Sequence, residues 1–367
     1  MLLLSEPEVY RVLSDLSRHQ CQRLVDTLTT TLIQYSTEKN NTTADKHIHQ
    51  PLRTPIVTKN NDATLFMPCS DTTNTGIKVI TLPSKQDAVG VTLVLAPTGE
   101  VIGMLGASQV TAFRTALTTM CMFTRVTHIP KKHIVVFGSG KQVEWHIRLA
   151  LLFTAEEIES VTIVNRGRQR LNWFEKDEDT PDYDQALQIH FASADVIFCC
   201  TPSTEPLFPF SFLTMCHEGR FISLIGSYTP HMKEIDTHTL LSGNGQIFVD
   251  SREACLEESG ELRDAKITEE QLIEIGEHLV QEASRIPEGN IVFKCVGTGI
   301  MDLTISRTLL QLASDLGIGT SVESLFLTRE CVKKVFKLIK NYHLAHRRRH
   351  SVPEEREHCY VGGTAID

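Results

Sequence analysis

The sequence predicts an α/β protein in two parts, an N-terminal α+β unit followed by a doubly wound parallel sheet. Three observations lead there. From residue 133 onward, β-branched runs alternate with helical patterns: "HIVVFG", "SVTIVN", "ADVIFCCTP", "RFISLIG", "GQIFVD" and "IVFKCVG" are the strand-like runs. Alternation of that kind calls for parallel strands joined by crossover helices. Before residue 128 the strand-like stretches follow one another with short breaks, which reads as a mostly antiparallel sheet. Third, two glycines fall where the first run of the second part meets its helix, in "IVVFGSGKQVEWHIRLALL".

Taken in order, "SEPEVYRVLSDLSRHQCQRLVDTLTTTLIQYST" opens with the capping-box spacing Ser5 to Glu8 and continues with helical periodicity. "TEKNNTTADKHIHQ" is a polar loop, and its His47 and His49 read as solvated side chains; no metal site is expected. "RTPIVTK", "ATLFMPC", "GIKVITL", "GVTLVLAP" and "EVIGML" read as strands, with "APTGE" a hairpin turn, and "ASQVTAFRTALTTMCMFTRV" returns to helix. In the second part "RGRQRLNWFEK", "PFSFLTMC" and the acidic segment 262–290 read as helical, and "MDLTISRTLLQLASDLGIG" begins a last helical region. The tail "HRRRHSVPEEREH" reads as a solvated charge run.

Of 367 residues, 41% are hydrophobic and 22% charged, which is the balance of a soluble globular protein. The net charge of −9 argues against non-specific affinity for nucleic acid or an anionic membrane, though not against a local cationic pocket. Ten cysteines occur without any C-x-x-C pair, so reduced thiols in a cytoplasmic protein are expected. The N-terminus carries no secretory pattern, and no apolar run approaches the ~20 residues of a membrane span. In that setting the N-x-T sequons at Asn40 and Asn41 carry no weight.

Gly138 and Gly140 fit the first two positions of the dinucleotide turn G-x-G-x-x-G/A. The first permits the tight turn, and the second lets the backbone of Lys141 and Gln142 approach a pyrophosphate at the helix N-terminus. The third position is Val143, which implies looser packing of helix on strand. A P-loop is excluded by the lack of glycine at 135 and of Ser or Thr at 142. The next strand ends in Asn165, Arg166 and Arg168, where an NAD-preferring site would place Asp or Glu. Guanidinium groups there suit a 2′-phosphate, so NADP(H) is preferred over NAD(H), which stays possible. Thr201 and Pro202, in "CCTPST", are placed to approach the nicotinamide side; Cys199 and Cys200 read as core.

Several segments in order resemble the ornithine cyclodeaminase/μ-crystallin family: "RTPIV", "GIKVIT", "VTAFRTA", "GSGKQVEWH", "ADVIFCCTPSTEP", "LIGSYTPHMKEID", "VDSREACLEESGEL" and "FKCVGTGIMDL". They span roughly residues 5 to 320. The resemblance implies a homodimer whose substrate and dimerisation domain, residues 1–127 with 316–367, carries a Rossmann-type domain at 128–315. It also implies that Arg53, Lys78 and Arg114 line the substrate pocket and hold an α-carboxylate. The residues make sense of that assignment: Lys78 lies in an apolar strand and Arg114 in a largely apolar helix, where a cation needs an anionic partner. The sequence shows no fixed acidic neighbour for either, with Asp71 or a distant carboxylate open as candidates.

One departure bears on activity. Cyclodeaminating members resemble the pattern G-x-D-x-P after the fifth strand, and this chain has Gly226-Ser227-Tyr228-Thr229-Pro230. A phenol of ordinary pKa ~10 is a poor base near neutrality. μ-Crystallin-like ketimine reductases also lack the aspartate and prefer NADPH. The expectation is therefore NADPH-dependent reduction of a small α-imino carboxylate. In it Arg53 and Arg114 bind the acid, Lys78 supplies charge or a proton, and the Tyr228 hydroxyl either bonds the imine nitrogen or only shapes the pocket. Cyclodeamination (with a carboxylate such as Asp71 or Asp302 reaching the substrate), alanine-dehydrogenase-like reductive amination and a non-catalytic NADPH-binding ligand sensor are the alternatives.

Overall fold

A computed structural model of the protein describes residues 1–39, 41–42, 45–83, 86–165, 183–213, 219–280 and 286–323. The chain opens with β1 (Leu2–Leu4), α1 (Glu6–Ser14) and α2 (Arg18–Thr37). The capping box at Ser5 and Glu8 forms, with Ser5 N donating to Glu8 Oε2 at 2.7 Å. A second box at Ser17 and Gln20 starts α2, so the stretch that reads as one helical run is two helices.

β2 (Thr54–Val57), β3 (Ala63–Ser70), β4 (Thr75–Leu82), β5 (Val89–Leu95) and β6 (Val101–Gly106) form an antiparallel meander. Gly99, at φ +87°, closes the β5–β6 hairpin in the "APTGE" turn. Along β4 the alternation is regular: Gly76, Lys78 and Ile80 are buried, while Ile77 and Val79 point to the other face. Helix α3 (Ala107–Phe123) covers the inner face and is buried along almost its whole length. Its threonines are tolerated there because each donates to the carbonyl one turn back, Thr115 to Thr111, Thr118 to Arg114 and Thr119 to Thr115.

The second part begins with β7 (His133–Phe137), α4 (Lys141–Thr154) and β8 (Ser160–Val164), then α5 (Tyr183–Ser193), β9 (Val196–Cys199) and β10 (Phe221–Leu224). After them come α6 (Thr237–Leu240), β11 (Ile247–Val249), α7 (Arg252–Glu258), α8 (Gly260–Asp264), β12 (Leu272–Glu274), α9 (Ile275–Val280) and β13 (Ile291–Lys294). The strands pair in parallel in the order β12-β11-β13-β10-β9-β7-β8. The chain leaves β7 toward β8 and returns on its other side at β9, which makes the crevice beyond β7 and β9 a topological switch point. Both faces are covered. Ile134, Val136 and Phe198 share one apolar core with Leu28, Phe113 and Met120 of the first part, and Val135, Ile197 and Ile222 pack into a second core on the far face.

The structure revises several details. Helix α10 (Gly299–Asp315) packs on α2, α3, β3, β4 and β5, and β14 (Thr320–Ser321) pairs with β1. The chain thus returns to the first sheet, ordered β14-β1-β6-β5-β4-β3-β2, before residue 316. The acidic segment 262–290 is not one helix. Its "LIEI" stretch, rich in β-branched residues, supplies the edge strand β12, and Glu274 within it is buried where it accepts from Lys39 and from Arg252 N. Of "PFSFLTMC" residues 209–213 are described, and they hold only a short 3-10 turn, Phe210–Phe212. "RGRQRLNWFEK" and the charged tail lie outside them. In the polar loop, His47 Nδ1 pairs with Glu38 Oε1 at 2.8 Å.

Candidate active site

A cavity of about 370 Å³ lies between the inner face of the antiparallel sheet and the carboxyl ends of the parallel strands. Arg53, Lys78 and Arg114 all reach its wall, from the segment before β2, from β4 and from α3. Opposite stand Gly140, Lys141 and Gln142 at the start of α4, Cys200 and Pro202 after β9, and Gly226 and Tyr228 after β10.

The cations are fixed from behind. Lys78 Nζ donates to Asp302 Oδ2 at 2.8 Å and to Thr111 Oγ1 at 3.3 Å, and Arg114 Nε donates to Asp302 Oδ1 at 3.3 Å. Lys78, Arg114 and Asp302 are each at most 3% exposed. Asp302 sits in the first turn of α10, where the helix dipole favours a carboxylate. Arg53 pairs with Glu258 and donates to the Tyr228 carbonyl at 2.9 Å. Asp250, also buried, is turned to the backbone N–H groups of Val296 and Gly297, at 3.2 and 2.7 Å. Among the described residues, two carboxylates, those of Asp302 and Glu258, are bound to the three cations, a balance that suits an anionic guest.

Burial pushes the Lys78 ammonium down to about 8, and the neighbouring Asp302 opposes that shift. The group is then acidic enough to give up a proton near neutrality. Burial also raises the Tyr228 phenol, which keeps its proton and can only donate or accept a hydrogen bond at neutral pH. Glu258 is pushed up to about 7 by burial, against the pull of Arg53.

These pairings correct the sequence reading of the cations' neighbours. Asp302, named from sequence only as a carboxylate that could reach substrate, is the shared partner of Lys78 and Arg114; Asp71 is bound to Arg307 instead. Glu258, the partner of Arg53, is a further acid at the site that the sequence reading does not include. Both acids come from segments far along the chain, "GIMDL" and "CLEESGEL", and a carboxylate among apolar helix residues was the available signal for Asp302.

The glycine turn has the features a dinucleotide needs. Gly138 has φ +112°, and a Cβ there would lie 2.9 Å from the Cys200 carbonyl oxygen, so only glycine lets β7 and β9 close up at the switch point. At Gly140 a Cβ would meet nothing within 4 Å: the turn faces open space. Among the described residues no side chain caps α4, and none hydrogen-bonds the buried Gln142 Oε1. Uncapped N–H groups beside open space fit the pyrophosphate of a dinucleotide. Lys141 Nζ donates to Ser108 Oγ at 2.6 Å and so ties the turn to α3. Val143 is fully buried over Gly138, so the departure from Gly/Ala fills space and does not loosen the packing. Thr201 is adjacent to the cavity, with its N–H and hydroxyl bound to Glu234. Asn165 follows β8, while Arg166 and Arg168 lie outside the described residues.

No family model matches the chain. Among curated proteins it is 30% identical over 306 residues to the "Uncharacterized protein YGL159W" of Saccharomyces cerevisiae, covering 69% of this chain and 82% of the relative. It is 27% identical over 296 residues to the Δ1-pyrroline-2-carboxylate reductase of Bacillus cereus (74% of this chain, 89% of the relative). It is 28% identical over 284 residues to the ketimine reductase μ-crystallin of Mus musculus (72% and 85%). The chain belongs to the ornithine cyclodeaminase/μ-crystallin family. Its fold is also that of solved proteins. The Thermococcus litoralis Δ1-pyrroline-2-carboxylate reductase, solved with NADH and L-proline, superposes with a TM-score of 0.72 at 20% identity, over 88% of this chain and all of that one.

Proposed function

We propose that the protein reduces the C=N bond of a small α-imino carboxylate with a reduced nicotinamide cofactor, NADPH in preference to NADH. One observation carries this reading: three cations, Lys78 and Arg114 buried and Arg53 partly so, share a cavity with a glycine turn at the uncapped start of a helix. The curated relatives named as pyrroline-carboxylate and ketimine reductases support it.

Arg53 and Arg114 hold the carboxylate by charge-assisted hydrogen bonds and so orient the imine carbon toward the cofactor side. The bound cofactor supplies the hydride. Lys78 gives a proton to the imine nitrogen as it becomes an amine, and the lowered pKa of its ammonium suits it to that transfer. The Tyr228 hydroxyl, lining the same cavity, hydrogen-bonds that nitrogen or bounds the pocket. The preference for NADPH rests on Asn165, Arg166 and Arg168 in the sequence. The protein acts as a homodimer in the cytoplasm in this reading. The outward row Ile77, Val79, Val91 and Leu93 offers an apolar sheet face for a second copy, and the described cysteines are all free thiols. Among the described residues no helix is long and apolar enough to cross a membrane.

The test is a panel followed by nicotinamide absorbance, with cyclic ketimine carboxylates, pyruvate plus ammonia, pyruvate plus amines, and ornithine, each with NADPH and NADH. Turnover of a ketimine, faster with NADPH, is the expected result. Ammonia release from ornithine would replace the reading with cyclodeamination. Tight NADPH binding without any turnover would replace it with ligand sensing.

A further inference from the structure

We propose that Glu234 is a positioning residue, whose one buried carboxylate fixes the loops after β9 and β10 against each other and so sets the nicotinamide-facing floor of the cavity. The inference rests on the reductase reading for the identity of that floor. Glu234 precedes α6 and is fully buried. Its Oε1 accepts from Thr201 N at 2.7 Å and Thr201 Oγ1 at 3.1 Å, and its Oε2 accepts from Gly226 N at 2.7 Å and Ile225 N at 3.1 Å. Four donors from two loops thus converge on one side chain, two on each oxygen. The same loops give Cys200, Pro202, Ile225, Gly226 and Tyr228 to the cavity wall.

The loops have no slack. A Cβ at Gly226 would fall 1.8 Å from the Thr201 carbonyl oxygen, so the backbones run in contact there. A second fixture backs the first: Lys294 Nζ donates to the Ser227 carbonyl at 2.8 Å and to the Ser227 hydroxyl, which donates to Glu261 at 2.6 Å. By contrast, Glu234 bonds none of the residues of the turn from Gly138 to Gln142. Disturbing it should therefore spare the hold on the phosphates and displace the floor.

The charge state of Glu234 decides whether the fixture holds, because a protonated carboxyl turns one acceptor into a donor facing N–H groups. Burial raises this carboxyl to about 7. Lys294 from β13 opposes the rise, Glu261 from α8 adds to it, and the Cys199 and Cys200 thiols at the end of β9 face the same carboxyl. The charged form does the fixing, so the fixture is present above that pH and lost as pH falls through it.

Glu234→Gln keeps the shape but aims an NH₂ group at N–H donors; Thr201→Val removes a single donor and leaves the rest. In both variants and the unaltered protein, three quantities are compared: NADPH affinity, the emission maximum of the bound nicotinamide, and kcat for imine reduction across pH. For Glu234→Gln we expect NADPH affinity within about threefold, bound emission shifted toward that of free cofactor, and kcat lower by about 10- to 100-fold, the range for loss of a charge-assisted hydrogen bond. The acid limb near pH 7 should vanish with it, and Thr201→Val should shift emission the same way, less. Unchanged emission and an unchanged acid limb in a folded Glu234→Gln protein overturn the proposal. If Glu234→Gln does not fold, unshifted emission in Thr201→Val overturns it. A native protein that binds NADPH but reduces no imine overturns the reductase reading alone, and the emission comparison still decides the role of Glu234.

Discussion

The wall of the cavity carried by the antiparallel sheet brings three long cationic side chains, and the wall carried by the parallel sheet brings a glycine turn and two closely packed loops. On the first, Lys78, Arg114 and Arg53 are held by carboxylates that arrive from α10 and α7, between 188 and 224 residues away in the chain. On the second, what matters at Gly138, Gly140 and Gly226 is the absence of a side chain, and the partners are neighbouring loops of one sheet. The difference teaches where each kind of selectivity resides. A backbone wall recognises what is common to its ligand class, a pyrophosphate and a planar ring. A charged wall can be retuned one residue at a time, and its stability and its chemistry are coupled through shared counter-ions.

Removing a cation breaks the comparison most severely. Arg114→Ala should lower kcat/KM for imine reduction on the order of 10²- to 10³-fold, by loss of carboxylate orientation, with NADPH affinity nearly unchanged. Steady-state rates and a fluorescence titration of NADPH check it; equal loss of both would mean that the walls do not act separately. Asp302→Asn should act on stability first. It leaves two buried cations without their shared carboxylate, a change of about 3–5 kcal/mol, readable as a lower urea midpoint. If the midpoint does not move, Lys78 and Arg114 have another anion.

The same contrast explains what could be read from the sequence. The parallel sheet and its glycine turn follow from local patterns, because backbone geometry leaves its mark in glycine spacing and β-branched runs. Lys78 and Arg114 stood out as cations in apolar surroundings. Asp302 was not assigned to them, since nothing local joins residue 302 to residue 78; only the return of α10 onto the first sheet does so. The edge strand β12 was hidden for a related reason: "LIEI" carries an acid whose burial depends on Lys39 and Arg252 from elsewhere. The staple at Glu234 was equally out of reach, because three of its four donors are backbone N–H groups that every sequence possesses.

On the backbone wall, two alanine substitutions two residues apart should part company. Gly138→Ala places a side chain at φ +112° against the Cys200 carbonyl and should cost about 1–3 kcal/mol of stability. Gly140 has an extended backbone, φ −95° and ψ −172°, with open space before it. Gly140→Ala should leave stability within about 1 kcal/mol and, if the proposed phosphate site is there, weaken NADPH binding about tenfold, because the methyl group would occupy that space. Thermal melts with and without NADPH separate the two. Equal destabilisation of both apo proteins would show that the turn at 140 is not open.

The smallest effect expected near neutrality is also the one that joins chemistry to the charged wall. Lys78 must be protonated to give its proton to the imine nitrogen, and burial has brought its ammonium down to about 8. The sign follows directly: the protonated form prevails below that pH and is lost above it, so log kcat should fall with a slope approaching −1 beyond pH 8 while staying nearly flat between 7 and 7.5. Asp302 works against the burial of Lys78, so Asp302→Asn should carry the alkaline limb to lower pH in the fraction that folds. A limb that stays in place in that variant would assign the titration to another group. A limb absent from the unaltered protein would remove Lys78 from proton transfer, leaving it as a charge that holds the carboxylate with Arg53 and Arg114.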